Sequence, residues 1–293
     1  MSICQDRVVL ITGSGGGLGR AYALELAKAG AKVVVNDINL AAAEAVVADI
    51  TAAGGVAMAN NTDITNYAAC GEAIKQIVAA FGDLHAVINN AGICRDRMFA
   101  SLTEGDWDTV IAVHLKGHFC MTHNAVQYWR DQSKAGNTVD ARIINTSSGA
   151  GLNGSIGQSN YSAAKGGIAS LTLVQAAELG RYGITSNALA PAARTGMTAG
   201  VFDEMMKAPE DGGFDHYAPE NVAQTVVWLA SSASAKVTGQ VFELEGGKIS
   251  IADGWKSTKG YNKGSRLDPA ELSDVVATLL ADGVPAQKVY GAS

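Results

Sequence analysis

The stretch RVVLITGSGGGLGRAYALELAKAGAKVVVND, residues 7–37, decides the fold. It reads as a β-branched strand at 7–11, a glycine-rich turn at 12–19, a helical segment at 18–29 and a second strand at 32–36. Strand, helix and strand in about thirty residues make a βαβ unit, whose two strands run parallel. Glycines between strand and helix let backbone N–H groups and the helix N-terminus approach a pyrophosphate closely. No lysine followed by serine or threonine is present, so the turn is not a P-loop.

The same alternation continues outward. Strand-like runs lie at 84–89, 141–146 and 240–245, with a weaker one at 55–59 and one expected by position at 183–189. Amphipathic, alanine-rich segments at 40–52, 66–81, 106–132, 160–181 and 219–230 separate them. The pattern predicts an α/β fold with a doubly wound, parallel, seven-stranded, Rossmann-like sheet. Seven strands use the chain to about residue 247, so residues 1–250 form a single dinucleotide-binding and catalytic domain. Residues 251–293 are expected to be a C-terminal extension packed on that domain or on a neighbouring subunit. Its helix should start at Asp268-Pro269, an N-cap followed by proline at the first helical position, and stop at Asp282-Gly283.

Composition excludes several classes. The chain has 293 residues, 47% of them hydrophobic and 17% charged, which suits one large core. A net charge of −6 gives no general attraction to nucleic acid or anionic membrane. No apolar run reaches the ~20 residues of a membrane helix, and no signal-peptide pattern opens the chain. Cys4, Cys70, Cys94 and Cys120 are widely spaced, as reduced thiols are. A cytoplasmic protein is expected.

Two groups of residues carry chemistry. Asp37 follows the second strand, 18 residues beyond Gly19, where a carboxylate can accept hydrogen bonds from ribose hydroxyls and repel a 2′-phosphate. With no basic residue at Gly15 or Gly16, this favours NAD over NADP. Tyr161 and Lys165, four apart, share one helix face, and Ser148 lies just past the fifth strand, at the sheet end where ligands bind. A phenol with pKa ~10 is a poor base near neutrality. An ammonium and a cationic nicotinamide nearby are the charges that favour its ionisation.

These motifs together resemble the short-chain dehydrogenase/reductase family over roughly residues 5–250. Thr12, Gly13, Gly17 and Gly19 match its TGxxxGxG, Asn89-Asn90-Ala91-Gly92 its segment after the fourth strand, and Tyr161 and Lys165 its YxxxK. The resemblance implies that Tyr161 exchanges a proton with the substrate oxygen, that Ser148 hydrogen-bonds that oxygen, and that Lys165 holds the nicotinamide ribose and lowers the tyrosine's pKa. Hydride would pass between the substrate carbinol carbon and nicotinamide C4. Gly13, Gly17, Leu18, Gly19, Asp37, Asp63, Asn90, Ala91, Gly92, Tyr161 and Lys165 would bind the cofactor. Where the family usually has Pro-Gly after the sixth strand, this chain has Pro191-Ala192, which leaves Thr195 as the candidate for the carboxamide. Ser148, Gln158 and Tyr161 are the candidate substrate contacts.

VHLKGH, residues 113–118, raises a metal question that helix geometry answers. His114 and His118 lie ~40° apart on a helix, but His123 lies on the opposite face and no acidic residue follows His114 as in HExxH. No metal site is expected, and packing roles fall to His118 and His123. His114 stands where the family commonly has asparagine, and supports a proton relay with Lys165 in our reading. NNAGICRDRMFASLTEGDWDTVIAVHLKGHF, GQSNYSAAK and LAPAARTGMT resemble (3R)-hydroxyacyl-CoA dehydrogenase regions of multifunctional β-oxidation enzymes and their bacterial stand-alone relatives. That implies NAD-dependent interconversion of a fatty or steroid side-chain 3-hydroxyacyl-CoA and its 3-oxo form. Lys256, Lys259, Lys263 and Arg266 are candidates for CoA phosphates, or equally a solvated face. A dehydrogenase of a free alcohol, steroid or acyl-carrier-protein thioester remains an alternative, as does a non-enzymatic nucleotide sensor. Helices at 106–132 and 160–181 are long enough for a subunit interface, and the resemblance implies a homodimer or homotetramer.

Overall fold

A computed structural model describes residues 2–196, 204, 206–252, 254, 260–283 and 289–291. Its opening unit is β1 (Val8–Thr12), α1 (Gly17–Lys28) and β2 (Lys32–Asn36), with β1 and β2 parallel and Val9 beside Val33. Successive β1 residues serve opposite faces of the sheet. Val9 and Ile11 join a core with Tyr22 and Leu26 of α1 and Val226 of α8 (Pro219–Ala230). Val8 and Leu10 join another with Ile74 of α3 (Tyr67–Phe81) and Met121 and Trp129 of α5 (Gly117–Lys134). Burial on both faces explains why the strand reads as a continuous apolar run.

The other elements are α2 (Leu40–Ala52), β3 (Val56–Asn60), β4 (Ala86–Asn89), α4 (Glu104–Ile111), β5 (Ala141–Thr146), α6 (Gly149–Asn153), α7 (Ser159–Leu179), β6 (Ile184–Ala192), β7 (Val241–Glu245), β8 (Lys248–Ile251) and α9 (Leu272–Asp282). The sheet order is β3-β2-β1-β4-β5-β6-β7-β8. The chain moves outward from β1 to β3, then returns to β4 on the other side of β1. That reversal opens a crevice at the C-terminal ends of β1 and β4, where an open α/β sheet binds ligands.

The sheet has eight strands, not the expected seven. β8 pairs antiparallel with β7 through Glu245–Lys248, leaving Gly246-Gly247 as a two-residue turn with Gly246 at φ 55. Glycine at the first central position permits this tight hairpin, so the glycine- and lysine-rich start of the tail still forms an edge strand. The helix expected at 106–132 is also interrupted. Between α4 and α5 a π-helical turn spans Ala112–Lys116. A π turn carries about one residue more than an α turn, and residues 112–116 read as ordinary helix in the sequence. In the tail, the turn at Pro269–Glu271 is 3-10, and α9 follows it and stops before Gly283. Among the described residues, no helix is long and apolar enough to cross a membrane, and no three His, Cys, Asp or Glu side chains gather as a metal site.

Candidate active site

The crevice is a cavity of about 460 Å³ that runs from Asp37 and Asp63, past Gly13, Gly17 and Leu18, to Ser148, Tyr161 and Lys165. Its nucleotide end is shaped by glycines that tolerate no side chain. A Cβ on Gly13, which sits at φ +62, would lie 2.6 Å from Ala91 Cα, and one on Gly19 would lie 2.3 Å from the Gly13 carbonyl oxygen. Thr12 closes the same corner: its hydroxyl accepts from the N–H groups of Asn90 (3.0 Å) and Ala91 (3.1 Å). The Asn90 amide donates in return to the carbonyls of Thr12 and Gly13, both at 3.0 Å. Helix α1 starts at Gly17 behind an N-cap glycine, so no side chain caps its first N–H groups. Beside Gly16 is open space. Unclaimed donors, a helix N-terminus and bare backbone fit a pyrophosphate.

Asp37 is held in place from two sides. Its Oδ2 accepts from Gly15 N–H at 2.9 Å and its Oδ1 from Asn39 N–H at 3.0 Å. A Cβ at Gly15 would lie 2.9 Å from that same Oδ2, so the loop has no room for a basic side chain there. Asp63 accepts from the Thr65 N–H and hydroxyl, both at 2.8 Å, at the rim of the cavity. Thr195 lines the cavity too, with its side chain 3.5 Å from where a Gly17 Cβ would sit. These residues fit a dinucleotide.

At the other end Ser148, Tyr161 and Lys165 converge. The Lys165 ammonium, buried in the first turns of α7, donates to the Thr146 carbonyl at 2.6 Å and lies 5.5 Å from the Tyr161 ring centre. Ser148 caps α6, accepts from Ala150 N–H at 3.2 Å, and is hydrogen-bonded to the Tyr161 phenol. Burial pushes the Tyr161 phenol up to about 12, although the Ser148 hydrogen bond pulls the other way. Burial also brings Lys165 down to about 7. The protein by itself therefore keeps Tyr161 protonated at neutral pH, as a proton donor. The lowered tyrosine pKa implied by the resemblance needs positive charge beyond what the chain supplies.

His114 occupies the middle of the π turn, fully buried. Its Nε2 lies 3.0 Å from Ile93 N and 2.8 Å from Ile93 O, and its ring meets Tyr161 edge-on at 5.2 Å between centres. Gly92 makes room for that ring: a Cβ there would lie 2.3 Å from His114 Cε1. Burial and then Lys165 push the imidazole pKa down to about 3, so the ring stays neutral at ordinary pH. His118 is buried and pushed down by the same causes, with Nε2 3.4 Å from Thr146 N. His123 packs away from the site, its Nδ1 2.7 Å from the Tyr67 hydroxyl.

The other site expectations divide. Gln158 does not line the cavity, and its amide donates to Asp96 at 2.7 Å. Lys263 is engaged by Glu271 at 2.5 Å, which removes it as a free cation, while Lys256 and Lys259 lie outside the described residues. Sequence reasoning missed the polar bracing under α7. Asn89 donates to Asn145 (2.9 Å) and Thr122 (2.7 Å), and Asn145 donates to Thr172 and Gln175, both at 2.9 Å. The signal was there: Asn89 ends β4 and Asn145 is the last but one residue of β5, both on the inward parity of Val87 and Ile143. Also missed was Cys94, a half-buried thiol close enough to Tyr161 and Lys165 to act on both electrostatically.

Comparison with known proteins gives concordant matches. Residues 7–206 match the profile described as short chain dehydrogenase. Hydroxyacyl-CoA dehydrogenase ChsB1 of Mycobacterium tuberculosis is 45% identical over 289 residues, which cover 96% of this chain and 90% of that protein. The mouse peroxisomal multifunctional enzyme type 2 is 40% identical over 272 residues, covering 90% of this chain but 35% of that longer protein. A crystal structure of a short chain dehydrogenase from Mycobacterium avium superposes with a TM-score of 0.91 at 55% identity, covering 99% of this chain and 100% of that one.

Proposed function

The chain belongs to the short chain dehydrogenase family, and we propose that it interconverts a 3-hydroxyacyl-CoA and the 3-oxoacyl-CoA with NAD. It is an oxidoreductase acting on a CH–OH group, and its family uses nicotinamide cofactors. One observation carries the finer reading. Ser148, Tyr161 and Lys165 meet at the end of a cavity whose other end presents an anchored carboxylate, Asp37, and no room for a basic side chain at position 15. The acyl-CoA preference draws on relatives whose names specify hydroxyacyl-CoA dehydrogenases.

In this reading Gly13, Gly17, Leu18 and Gly19 hold the pyrophosphate, Asp37 the adenosine ribose, Asp63 the adenine side, and Asn90, Ala91, Gly92 and Thr195 the nicotinamide side. The bound dinucleotide supplies the two-electron redox chemistry. Tyr161 gives or takes the proton at the substrate oxygen, and Ser148 hydrogen-bonds that oxygen while tied to the phenol. Lys165, anchored on the Thr146 carbonyl, holds the ribose beside Tyr161. His114 keeps a neutral ring against Tyr161 and pins the Ile93 backbone, so any relay behind Lys165 runs without protonating that ring. The enzyme acts in the cytoplasm as a homodimer or homotetramer, through the face formed by α5 and α7.

NAD+ reduction across (3R)- and (3S)-3-hydroxyacyl-CoAs and free secondary alcohols tests this. Turnover of at least one thioester is expected. Turnover of free alcohols alone would replace the acyl-CoA reading, and no turnover at all would favour a nucleotide sensor.

A further inference from the structure

Val289 and Tyr290 lie against the segment that follows Ser148. Residues 289–291 run beside the loop that follows α6: the Tyr290 N–H donates to the Gly154 carbonyl at 3.2 Å, and the Ile156 N–H donates to the Tyr290 carbonyl at 2.9 Å. Ser155 and Tyr290 form a parallel bridge. Helix α6 has five residues, too few to hold a position by its own hydrogen bonds. Three of its neighbourhood glycines show what holds it. A Cβ on Gly151 would lie 2.5 Å from the Lys165 carbonyl carbon and 2.7 Å from Gly166 N, so one side of α6 rests on the backbone of the catalytic helix. A Cβ on Gly149 would meet the Tyr290 ring, 2.8 Å from its hydroxyl and 3.0 Å from Cε2, and one on Gly154 would touch Val289 at 3.4 Å. The turn is thus pressed between Lys165 and the C-terminal residues, and Ser148 is its N-cap.

We propose that Tyr290 is a positioning residue: with Val289 it straps α6 against α7 and so fixes the Ser148 hydroxyl beside Tyr161. The role rests on the reading of Ser148 and Tyr161 as the proton-handling pair. It gives the C-terminal extension a task at the site, on the face of α6 opposite Lys165.

The test compares wild type with Tyr290→Ala, Tyr290→Phe, Gly149→Ala and the Gly149→Ala/Tyr290→Ala double variant. Hydrogen exchange is the readout that needs no turnover. Tyr290→Ala is expected to speed exchange across residues 149–157 by about tenfold while residues 13–20 stay as in wild type, and Tyr290→Phe, which keeps the ring, is expected to match wild type. For the preferred substrate, kcat should fall about tenfold in Tyr290→Ala with the NADH dissociation constant unchanged. Gly149→Ala should reproduce that loss. The double variant should be no worse than Tyr290→Ala, because the added methyl has lost the ring it strikes. Wild-type exchange over 149–157 in Tyr290→Ala, faster exchange throughout the protein, or additive losses in the double variant would each overturn the strap. A wild-type enzyme that turns over nothing removes the function proposed above, and the exchange result still decides the strap.

Discussion

His114 and Asp37 show how single residues are set by what surrounds them. His114 is neutral in the folded protein, with its pKa pushed down to about 3, whereas the unfolded chain takes up a proton near pH 6.5. Below that pH the unfolded state binds more protons, so stability present above about 6.5 is lost as pH falls towards 3, at about 1.4 kcal/mol per unit. His118, buried and lowered in the same way, adds to the slope. In urea unfolding measured from about pH 6 to pH 4.5, His114→Asn is expected to flatten the dependence by about one proton. An unchanged slope would mean the ring is not buried neutral. On activity, His114→Ala removes the Ile93 contact and the packing on Tyr161, and turnover should fall about tenfold. Unchanged turnover would leave the ring without a role. For Asp37→Ala, the ratio of kcat/KM for NAD+ over NADP+ is expected to drop at least about tenfold, since a carboxylate placed to accept ribose hydroxyls would also repel a 2′-phosphate. A ratio that does not move would detach Asp37 from cofactor choice.

At the scale of elements, close backbone contacts decide more than side-chain hydrophobicity does. Gly151 lets α6 rest on the backbone of Lys165 and Gly166. Gly151→Ala should therefore cost about 1–3 kcal/mol in stability by overpacking and lower turnover with it. Gly180, exposed at the end of α7 with φ −53 and nothing within 4 Å, is the control. Gly180→Ala should be neutral or gain up to about 1 kcal/mol through the unfolded chain. Thermal melting of both variants checks the pair, and equal shifts would show that backbone proximity is not what counts. The π turn belongs here as well. It places His114 against Tyr161 and Gly92 between two α-helical segments.

For the whole molecule, one face remains apolar. Between α4, α5 and α7 lies a groove of about 520 Å³ lined by Ile111, Leu115, Phe119, Leu171 and Val174 among others, with Phe119 and Val174 each nearly half exposed. Contiguous apolar surface of this kind fits the association face proposed above for α5 and α7. If the proposed homo-oligomer forms through this groove, Val174→Lys is expected to shift the protein towards monomer in sedimentation velocity, and an unchanged sedimentation coefficient would overturn that assignment. Such a variant should keep its cofactor site, because the groove lies outside the cavity-lining set.

Much of this protein is legible in its sequence. The βαβ alternation, the glycine turn, Asp37 and the Ser148–Tyr161–Lys165 spacing are local patterns, imposed by strand and helix periods and by chemistry that tolerates few substitutes. They point to the parallel part of the sheet and to the cofactor end and reacting groups proposed above. The rest depends on contacts between residues far apart in the chain. The asparagine bracing needed β4 and β5 side by side, and the neutrality of His114 needed burial beside a lysine 51 positions on. Tyr290 reaches Gly149 across 141 positions. No local period records such a meeting, because it exists only once the fold has brought distant segments together.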